Sequence, residues 1–413
     1  MRLGDWMSAP FPAGSSIYSG FDNLLEVPFK LGLSVGVLAE TFPGERRVAT
    51  VPKVIDLLTK MGATIWLERD AGLAAGFPDS EYEAKGVRVG SAAEVLDNAQ
   101  VLLAVRVTDS AIYGSQHSVI GFCDPLTYPA LIQQIASRGT TLFAVEFIPR
   151  ITRAQSMDAL SSMASIAGYK AVLMAADALP RLFPMMMTAA GTVPPARVFV
   201  IGAGVAGLQA IATARRLGAV VSAYDVRTAV REEIQSLGAK FVHIDMDAKG
   251  EGQGGYAREL DAENIRSQRE QMAAVIRDQD VVITTAAVPG RKAPLLVTRE
   301  MVRGMAAGSV ILDMAAERGG NCELTQPGET IVAEGVTVIG PTNLPSGVPY
   351  HASQMYARNL TEFLKNMVKD GELALDLKDE IVRETLVARG GCVVHPKVLS
   401  LIQPLTAAGT VVA

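Results

Sequence analysis

Cysteine is scarce in this chain: 413 residues carry three, Cys123, Cys322 and Cys392, far apart, odd in number and in no C-x-x-C pair. That pattern excludes a disulfide framework and a thiolate metal knuckle, and reads as structural thiols in a reducing compartment. Histidine is almost as rare. His117, His243, His351 and His395 fall in no metal-ligand or triad spacing, so no metal site is expected and each reads as structural or exposed. There is no block of Lys or Arg, and the net charge is −5, which argues against nucleic acid or an anionic membrane as the main partner. No uninterrupted apolar run reaches about 18 residues, the length a membrane helix needs, and the longest candidate lies around Phe199 to Ala214; a soluble chain is expected. Residues 1–29 contain Asp5, Asp22 and Glu26 and no continuous apolar core, unlike a signal or transit peptide, and are expected to form a flexible extension.

What is present is a globular composition, 49% hydrophobic and 20% charged, at a length that suits two domains. The most informative stretch runs from Arg197 to Leu208, where the apolar segment Val198-Phe199-Val200-Ile201 feeds Gly202-Ala203-Gly204-Val205-Ala206-Gly207. A strand opening through G-x-G-x-x-G into a helix is a dinucleotide-binding arrangement. The first glycine makes the tight turn, the second admits the pyrophosphate, and the third lets helix and strand pack closely. The helix N-terminus then offers free N–H groups and partial positive charge to the phosphates. Gly218 closes that helix, Ala219 to Tyr224 reads as the next strand, and Asp225 arrives about twenty residues on, where a ribose-binding acid belongs. A carboxylate there accepts the ribose 2′-hydroxyl and repels a 2′-phosphate, favouring NAD(H) over NADP(H), although Arg227 two residues later weakens that preference.

Apolar segments alternate with helical patterns on both sides of this loop. From Lys30 to Arg150 they are Leu33–Ala39, Pro52–Met61, Thr64–Glu68, Ala93–Asn98, Val101–Arg106, Pro129–Arg138 and Thr141–Glu146, a βαβ series without a glycine-rich phosphate loop. A helix is expected over Arg153 to Leu179, then a Met-rich turn at Met185 to Met187 whose side chains read as adaptable core filler in preference to a soft binding surface. Strands follow at Asp280–Thr285, Ser309–Asp313 and Val336–Ile339, giving six parallel strands in the second domain. A helix over His351 to Asp370, ended by Gly371, is expected to return to the first domain. The fold class is α/β: two Rossmann-like domains with parallel sheets, connected by long helices. The expected domains are 30–160 completed by 350–413, and 161–349 for NAD(H). The run Lys249 to Gly255 reads either as a mobile lid over the cofactor or as an exposed linker.

Arg150-Ile151-Thr152-Arg153-Ala154-Gln155-Ser156-Met157-Asp158-Ala159-Leu160-Ser161-Ser162 with Ala167-Gly168-Tyr169 resembles the signature segment of the NAD(H)-binding component of proton-translocating nicotinamide nucleotide transhydrogenases. The resemblance continues through Thr188 to Ala196, Gly254-Gly255-Tyr256-Ala257, Thr284-Thr285-Ala286, Pro289-Gly290 and Gly319-Gly320-Asn321-Cys322, and covers Lys30 to Lys397. It implies that Arg150, Gln155, Asp158 and Ser161 sit beside the nicotinamide, with Gln155 on its carboxamide. It implies that Gly202, Gly204, Val205 and Gly207 take the pyrophosphate, and that Asp225, Val226 and Arg227 hold the adenosine ribose. Gly255 and Tyr256 match the family's mobile loop, and Gln268 and Ala287 match positions lining the nucleotide cleft.

The resemblance further implies a soluble α1-type subunit, lacking the family's membrane helices and NADP(H)-binding domain. Such a subunit passes hydride between NADH and NADP(H) held on a partner, while the membrane partner moves protons. A homodimer in the cytoplasm, docked on the inner face of the plasma membrane through those partners, is the implied assembly. The wider family includes alanine dehydrogenase, whose Arg47-Val48-Ala49 pattern is also here. Amino-acid oxidation needs a carboxylate clamp and a group to handle the amine proton, a lysine and a histidine in those enzymes; by alignment Arg106 and Asp124 stand in their places. A permanently charged guanidinium is no base, so amino-acid turnover is expected to be lost. An NAD(H) sensor without turnover is the remaining alternative.

Overall fold

The computed structural model describes residues 32–244, 262–287 and 290–407; the expected N-terminal extension, residues 1–29, lies outside them. The described residues fall into two compact units, one of residues 164–344 and one of residues 32–163 with 345–407. The division lies inside the helix Ala159–Ala178.

The sheet of the 32–163 and 345–407 unit has eight strands, in the order Arg88–Gly90, Thr64–Glu68, Ser34–Val37, Val101–Arg106, Ser118–Phe122, Thr141–Ala144, Leu386–Arg389 and Cys392–Val393. The first six are parallel; Leu386–Arg389 pairs antiparallel with Thr141–Ala144, and Cys392–Val393 antiparallel with Leu386–Arg389. Parallel strands need crossovers, and helices such as Pro52–Lys60, Ala92–Asn98 and Pro129–Ser137 supply them. Proline opens two of these helices, where a missing N–H costs nothing, and a Ser91–Glu94 capping box opens the third. Val35, Val37, Leu67, Val101 and Ile120 are fully enclosed, as expected of strands covered on both faces.

The 164–344 unit carries a seven-stranded sheet in the order Lys240–Phe241, Val220–Tyr224, Arg197–Ile201, Val281–Thr284, Val310–Asp313, Val336–Ile339 and Thr330–Ala333. Six strands are parallel, and Thr330–Ala333 closes the edge antiparallel. The chain builds outward from Arg197–Ile201 in one direction, then returns to its other side with Val281–Thr284. The crevice beyond the carboxyl ends of these two strands is the topological switch point, where open α/β sheets bind ligands.

Three elements differ from the expectations drawn from sequence. The helix expected from Arg153 is a 3-10 turn, Thr152–Met157, followed by the helix Ala159–Ala178. Asp158 separates them because its carboxylate accepts the Ser161 N–H at 2.8 Å, the geometry of a helix N-cap. Met186–Thr188 pairs with Gly191–Val193 as a hairpin, and Met185, Met186 and Met187 are exposed, Met187 by 74%, so they are not core filler. The last long helix spans Pro349–Met367, and Gly371 belongs to a following hairpin, Val368–Lys369 with Glu372–Leu373.

Among the described residues, Ala159–Ala178 is the one helix long and apolar enough to cross a membrane by length and composition, rather than the segment around Phe199 to Ala214. Its Ala171, Val172 and Ala175 are wholly buried in the core of the 164–344 unit.

Candidate functional site

The glycine loop sits at the switch point. Gly202 has φ +99°, a conformation that an L side chain resists, and its N–H donates to the Tyr224 carbonyl at 2.8 Å. A Cβ on Gly207 would lie 1.9 Å from the Gly202 carbonyl oxygen. The helix Val205–Arg216 therefore presses directly on the turn. A Cβ on Gly204, by contrast, would meet nothing within 4 Å. Gly204 is the N-cap without any side-chain cap, and the first intrahelical bond is Leu208 N–H to the Gly204 carbonyl at 2.8 Å. The N–H groups ahead of Leu208 have no acceptor within the helix, the condition for binding an anion there. Gly168 makes a second close approach: a Cβ on it would come 2.1 Å from the Ala206 carbonyl oxygen, so the helix Ala159–Ala178 braces the loop from behind.

Asp225 follows the strand Val220–Tyr224 and is buried. Its Oδ2 accepts from Ala203 N–H at 2.7 Å and Arg227 Nη2 at 3.1 Å; its Oδ1 accepts from Arg227 N–H at 2.8 Å and Nε at 3.0 Å. Burial alone would raise this carboxyl, but the Arg227 side chain and the two main-chain donors outweigh it and hold it below the usual range. Asp225 is thus an ionised acceptor tied to the glycine loop through Ala203. Val226 packs on the core beneath it.

The other wall of the crevice is built on Asp313, which is fully buried at the end of Val310–Asp313. Its Oδ1 accepts from Thr284 Oγ1 at 2.9 Å and Ala315 N–H at 3.0 Å. Its Oδ2 accepts from Asn321 N–H at 2.7 Å, Cys322 N–H at 2.9 Å and Thr325 Oγ1 at 2.6 Å. Asn321 in turn clasps Ala286, accepting its N–H at 3.0 Å and donating to its carbonyl at 2.8 Å. Thr285 Oγ1 reaches the Gly202 carbonyl at 3.1 Å, which joins this wall to the glycine turn, and Ala287 next to it is exposed. Sequence reasoning passes over Asp313; an acid closing an apolar parallel strand beside the switch point is the signal that could have found it.

The residues expected at the nicotinamide belong to the other unit. Arg150 and Gln155 are exposed, Gln155 on the turn Thr152–Met157. Asp158 and Ser161 form one motif, with Ser161 N–H on Asp158 Oδ1 at 2.8 Å and Ser161 Oγ on Oδ2 at 2.6 Å. Asp158 acts first on the helix it begins. Gln268 lies on the helix Ala262–Arg277, while Gly255, Tyr256 and the expected lid Lys249 to Gly255 lie outside the described residues.

The same unit as Gln155 holds a buried charge cluster. Arg47 donates from Nε and Nη2 to Glu45 at 2.7 and 2.6 Å, and Arg106 approaches the same carboxylate at 3.5 Å with its guanidinium 4.3 Å over the Phe42 ring. Glu40 accepts the Val105 and Arg106 N–H groups at 2.6 and 3.0 Å, and Glu146 those of Cys123 and Asp124 at 2.8 and 2.6 Å. Burial pushes both Glu40 and Glu146 up to about 7. Arg106 is engaged by a carboxylate and a ring, an arrangement that holds a cation and offers no base. His117 accepts the Gly114 N–H on Nδ1 and meets the Leu96 carbonyl through Nε2, a structural role. Among the described residues no cluster of His, Cys, Asp or Glu can hold a metal ion, and the three cysteines are free thiols, Cys392 exposed.

The residues at the switch point fit an adenine dinucleotide: an open approach over Gly204, unfilled helix N–H groups and an ionised acid at the neighbouring strand end. Known proteins with similar chains point the same way. Residues 36–167 match the alanine dehydrogenase/PNT N-terminal domain and residues 171–396 the alanine dehydrogenase/PNT C-terminal domain. The chain is 45% identical over 377 residues to the first part of NAD(P) transhydrogenase subunit alpha from Rhodospirillum rubrum, covering 88% of this chain and 98% of that one. It is 27% identical over 351 residues to alanine dehydrogenase 1 of Staphylococcus aureus, covering 82% and 88%. The crystal structure of transhydrogenase from Sinorhizobium meliloti superimposes with a TM-score of 0.78 at 46% identity, covering 88% of this chain and 99% of that one. The chain therefore belongs to the alanine dehydrogenase/PNT family, with the alpha subunits of the NAD(P) transhydrogenases.

Proposed function

We propose that this chain is the NAD(H)-binding subunit of a proton-translocating transhydrogenase, passing hydride between NADH and an NADP⁺ held on a partner subunit. The observation that carries this reading is the glycine loop, closed by packing at Gly202 and Gly207 and open at Gly204, with Asp225 ionised beside it. When bound, NADH supplies a hydride from the C4 of its nicotinamide. No proton leaves the reacting carbons in such a transfer, so the site needs no general acid or base. The residues assigned to the ring, Arg150, Gln155, Asp158 and Ser161, are suited to holding and orienting it. In this reading Gln155 bonds the carboxamide, Gly202, Gly204, Val205 and Gly207 receive the pyrophosphate, and Asp225, Val226 and Arg227 receive the adenosine ribose. Gly255, Tyr256, Gln268 and Ala287 are assigned to the nucleotide cleft.

The 164–344 unit is the NAD(H)-binding domain in this proposal. Its partners are the NADP(H)-binding and membrane-spanning subunits, which couple transfer to proton movement and hold this subunit at the inner face of the plasma membrane. A homodimer is part of the proposal, and the exposed hairpin Met186–Thr188 with Gly191–Val193, bearing Met186, Met187 and Val193, is the apolar surface that suits it.

The test is spectrophotometric: the purified chain with NADH and an NADP⁺ analogue, with and without the partner subunits, and with pyruvate and ammonia as a control. Transfer only with the partner supports the proposal. Loss of NADH driven by pyruvate in the lone chain would establish an amino-acid dehydrogenase, and binding without transfer in either arm a sensor. Within the active complex, Gln155→Asn should slow transfer by up to about a hundredfold, the cost of misplacing a reacting group by about 1 Å, and change NADH affinity far less. Equal losses in rate and affinity would count against the assignment of Gln155.

A further inference from the structure

The turn that carries Gln155 is secured by residues far along the chain. Within Thr152–Met157 the backbone closes short i→i+3 bonds, Ala154 N–H to the Ile151 carbonyl at 3.0 Å and Asp158 N–H to the Gln155 carbonyl at 3.3 Å. Such 3-10 bonds are poorly aligned and hold a turn weakly by themselves. Four side chains add to them. Arg153 donates in bidentate fashion to Asp379, Nη2 to Oδ1 at 2.6 Å and Nη1 to Oδ2 at 2.9 Å, and Nη1 also reaches Asn366 Oδ1 at 3.0 Å. Asn366 Nδ2 donates to Asp379 Oδ2 at 2.9 Å, and Asp379 Oδ1 accepts the Ile381 N–H at 2.9 Å, so the same carboxylate caps the helix Glu380–Thr385. From the helix Pro349–Met367, Asn359 donates through Nδ2 to the Ser156 carbonyl at 2.8 Å. Asn359 is only 6% exposed, and its Oδ1 has no hydrogen-bond partner among the described residues. A buried, half-satisfied amide is costly to keep, which singles out its one bond, to the residue after Gln155.

We infer that Arg153 with Asp379, and Asn359, are positioning residues that fix the Thr152–Met157 turn so that Gln155 is presented to the nicotinamide in one orientation. This rests on the function proposed above. The Arg153 side chain is 52% exposed, and an exposed ion pair adds little to global stability. Its orientation of a ligand-holding turn is a separate effect, and displacement of such a group by about 1 Å can slow a reaction by about a hundredfold. Function should therefore respond to these residues much more than folding does.

The experiment uses the full chain, alone and reconstituted with its partner subunits, as Arg153→Ala, Arg153→Lys, Asp379→Asn and Asn359→Ala, with Gln155→Asn as reference. Asp379→Asn retains an oxygen to cap Ile381 and serves if Arg153→Ala folds poorly. In the NADH-free chain, hydrogen exchange at the Ala154 and Asp158 amides should accelerate by about tenfold or more in Arg153→Ala and Asn359→Ala, as expected when local opening becomes easier. In the complex, single-turnover hydride transfer should slow by about ten- to a hundredfold while NADH affinity stays within about threefold, with Arg153→Lys recovering part of the rate. Unchanged exchange, or rate and affinity falling by the same factor, overturns the inference. If Gln155→Asn slows transfer and these variants do not, the inference alone fails. If Gln155→Asn transfers at the parental rate, the assignment beneath it fails as well.

Discussion

Gly204 and Gly207 stand three residues apart in one loop, and alanine at each should separate folding from binding. At Gly207 the new Cβ would sit 1.9 Å from the Gly202 carbonyl oxygen, about 1.5 Å inside the 3.4 Å where ordinary contact begins. The obstruction is backbone, pinned by the Thr285 Oγ1 bond to that same carbonyl, so it cannot swing aside as a side chain would. Alanine gains about 1 kcal/mol of helix propensity over glycine, whereas overpacking a tight contact costs about 1–3 kcal/mol, typically more at a rigid neighbour. Gly207→Ala should therefore destabilise the chain by about 1–2 kcal/mol and shift the turn, weakening NADH binding as well. At Gly204 the backbone is extended, φ −74° and ψ −170°, which any residue adopts, and the added methyl meets open space. Gly204→Ala gains about 0.4–1 kcal/mol through the unfolded chain and loses a similar amount because glycine is the better N-cap, so stability should stay within about 1 kcal/mol. It should still weaken NADH binding by about tenfold or more, because a pyrophosphate approaching that backbone meets the methyl. Urea unfolding followed by circular dichroism gives the first quantity, and NADH fluorescence titration the second. Unchanged NADH affinity in a stable Gly204→Ala protein would refute the placement of the phosphates.

Asp225→Asn puts an amide N–H against Arg227 or Ala203 and should weaken NADH by about 1–2 kcal/mol while narrowing the preference over NADPH; paired titrations with an unaltered ratio would remove Asp225 from ribose recognition. Asp313→Asn must turn its NH2 toward a backbone N–H on either oxygen, Ala315 on one side or Asn321 and Cys322 on the other, and should cost about 2–4 kcal/mol in urea unfolding, against no change if the node is dispensable. Glu40 and Glu146 titrate near 7 in the folded chain and near 4.5 when unfolded, so the folded state holds these protons more tightly. Their contribution is fully present below the unfolded value and lost as pH rises through about 7, about 2 kcal/mol for each between pH 5 and 8. Glu146→Gln keeps an oxygen for the Cys123 and Asp124 amides and should flatten this decline; an unchanged pH slope would show that Glu146 does not carry it.

Much of the architecture is legible in the sequence because the physics is local. Strict apolar runs mark the strands Val101–Arg106, Arg197–Ile201 and Val281–Thr284, and the glycine spacing marks the switch point. What the sequence conceals depends on distant partners. Ser118–Phe122 escapes notice because its glycine, Gly121, weakens a short apolar run that only its neighbours on both sides make a central strand. Leu386–Arg389 escapes because it pairs antiparallel with Thr141–Ala144, more than two hundred residues earlier. At the site, the glycines and Asp225 announce themselves by spacing. Asp313, Asn321 and Asn359 do not, since each matters through main-chain groups it reaches only in the folded chain. Asp158 looks like a ligand contact and is also a helix cap, a role that its Asp-x-x-Ser spacing could have suggested.

The interleaving of the two units along the chain has a consequence for biosynthesis. Phe143 cannot meet Leu386 until the ribosome has passed the whole of residues 164–344. At about 5–20 residues per second that delay is on the order of ten seconds to a minute, during which Thr141–Ala144 is an uncovered sheet edge and the bed of the helix Pro349–Met367 is bare. The 164–344 unit, contiguous in sequence, has all its strands in hand before the unit that began first. The nascent chain thus matures from its middle outward, and truncation anywhere between residue 345 and the strand Leu386–Arg389 strands the half that was made earliest.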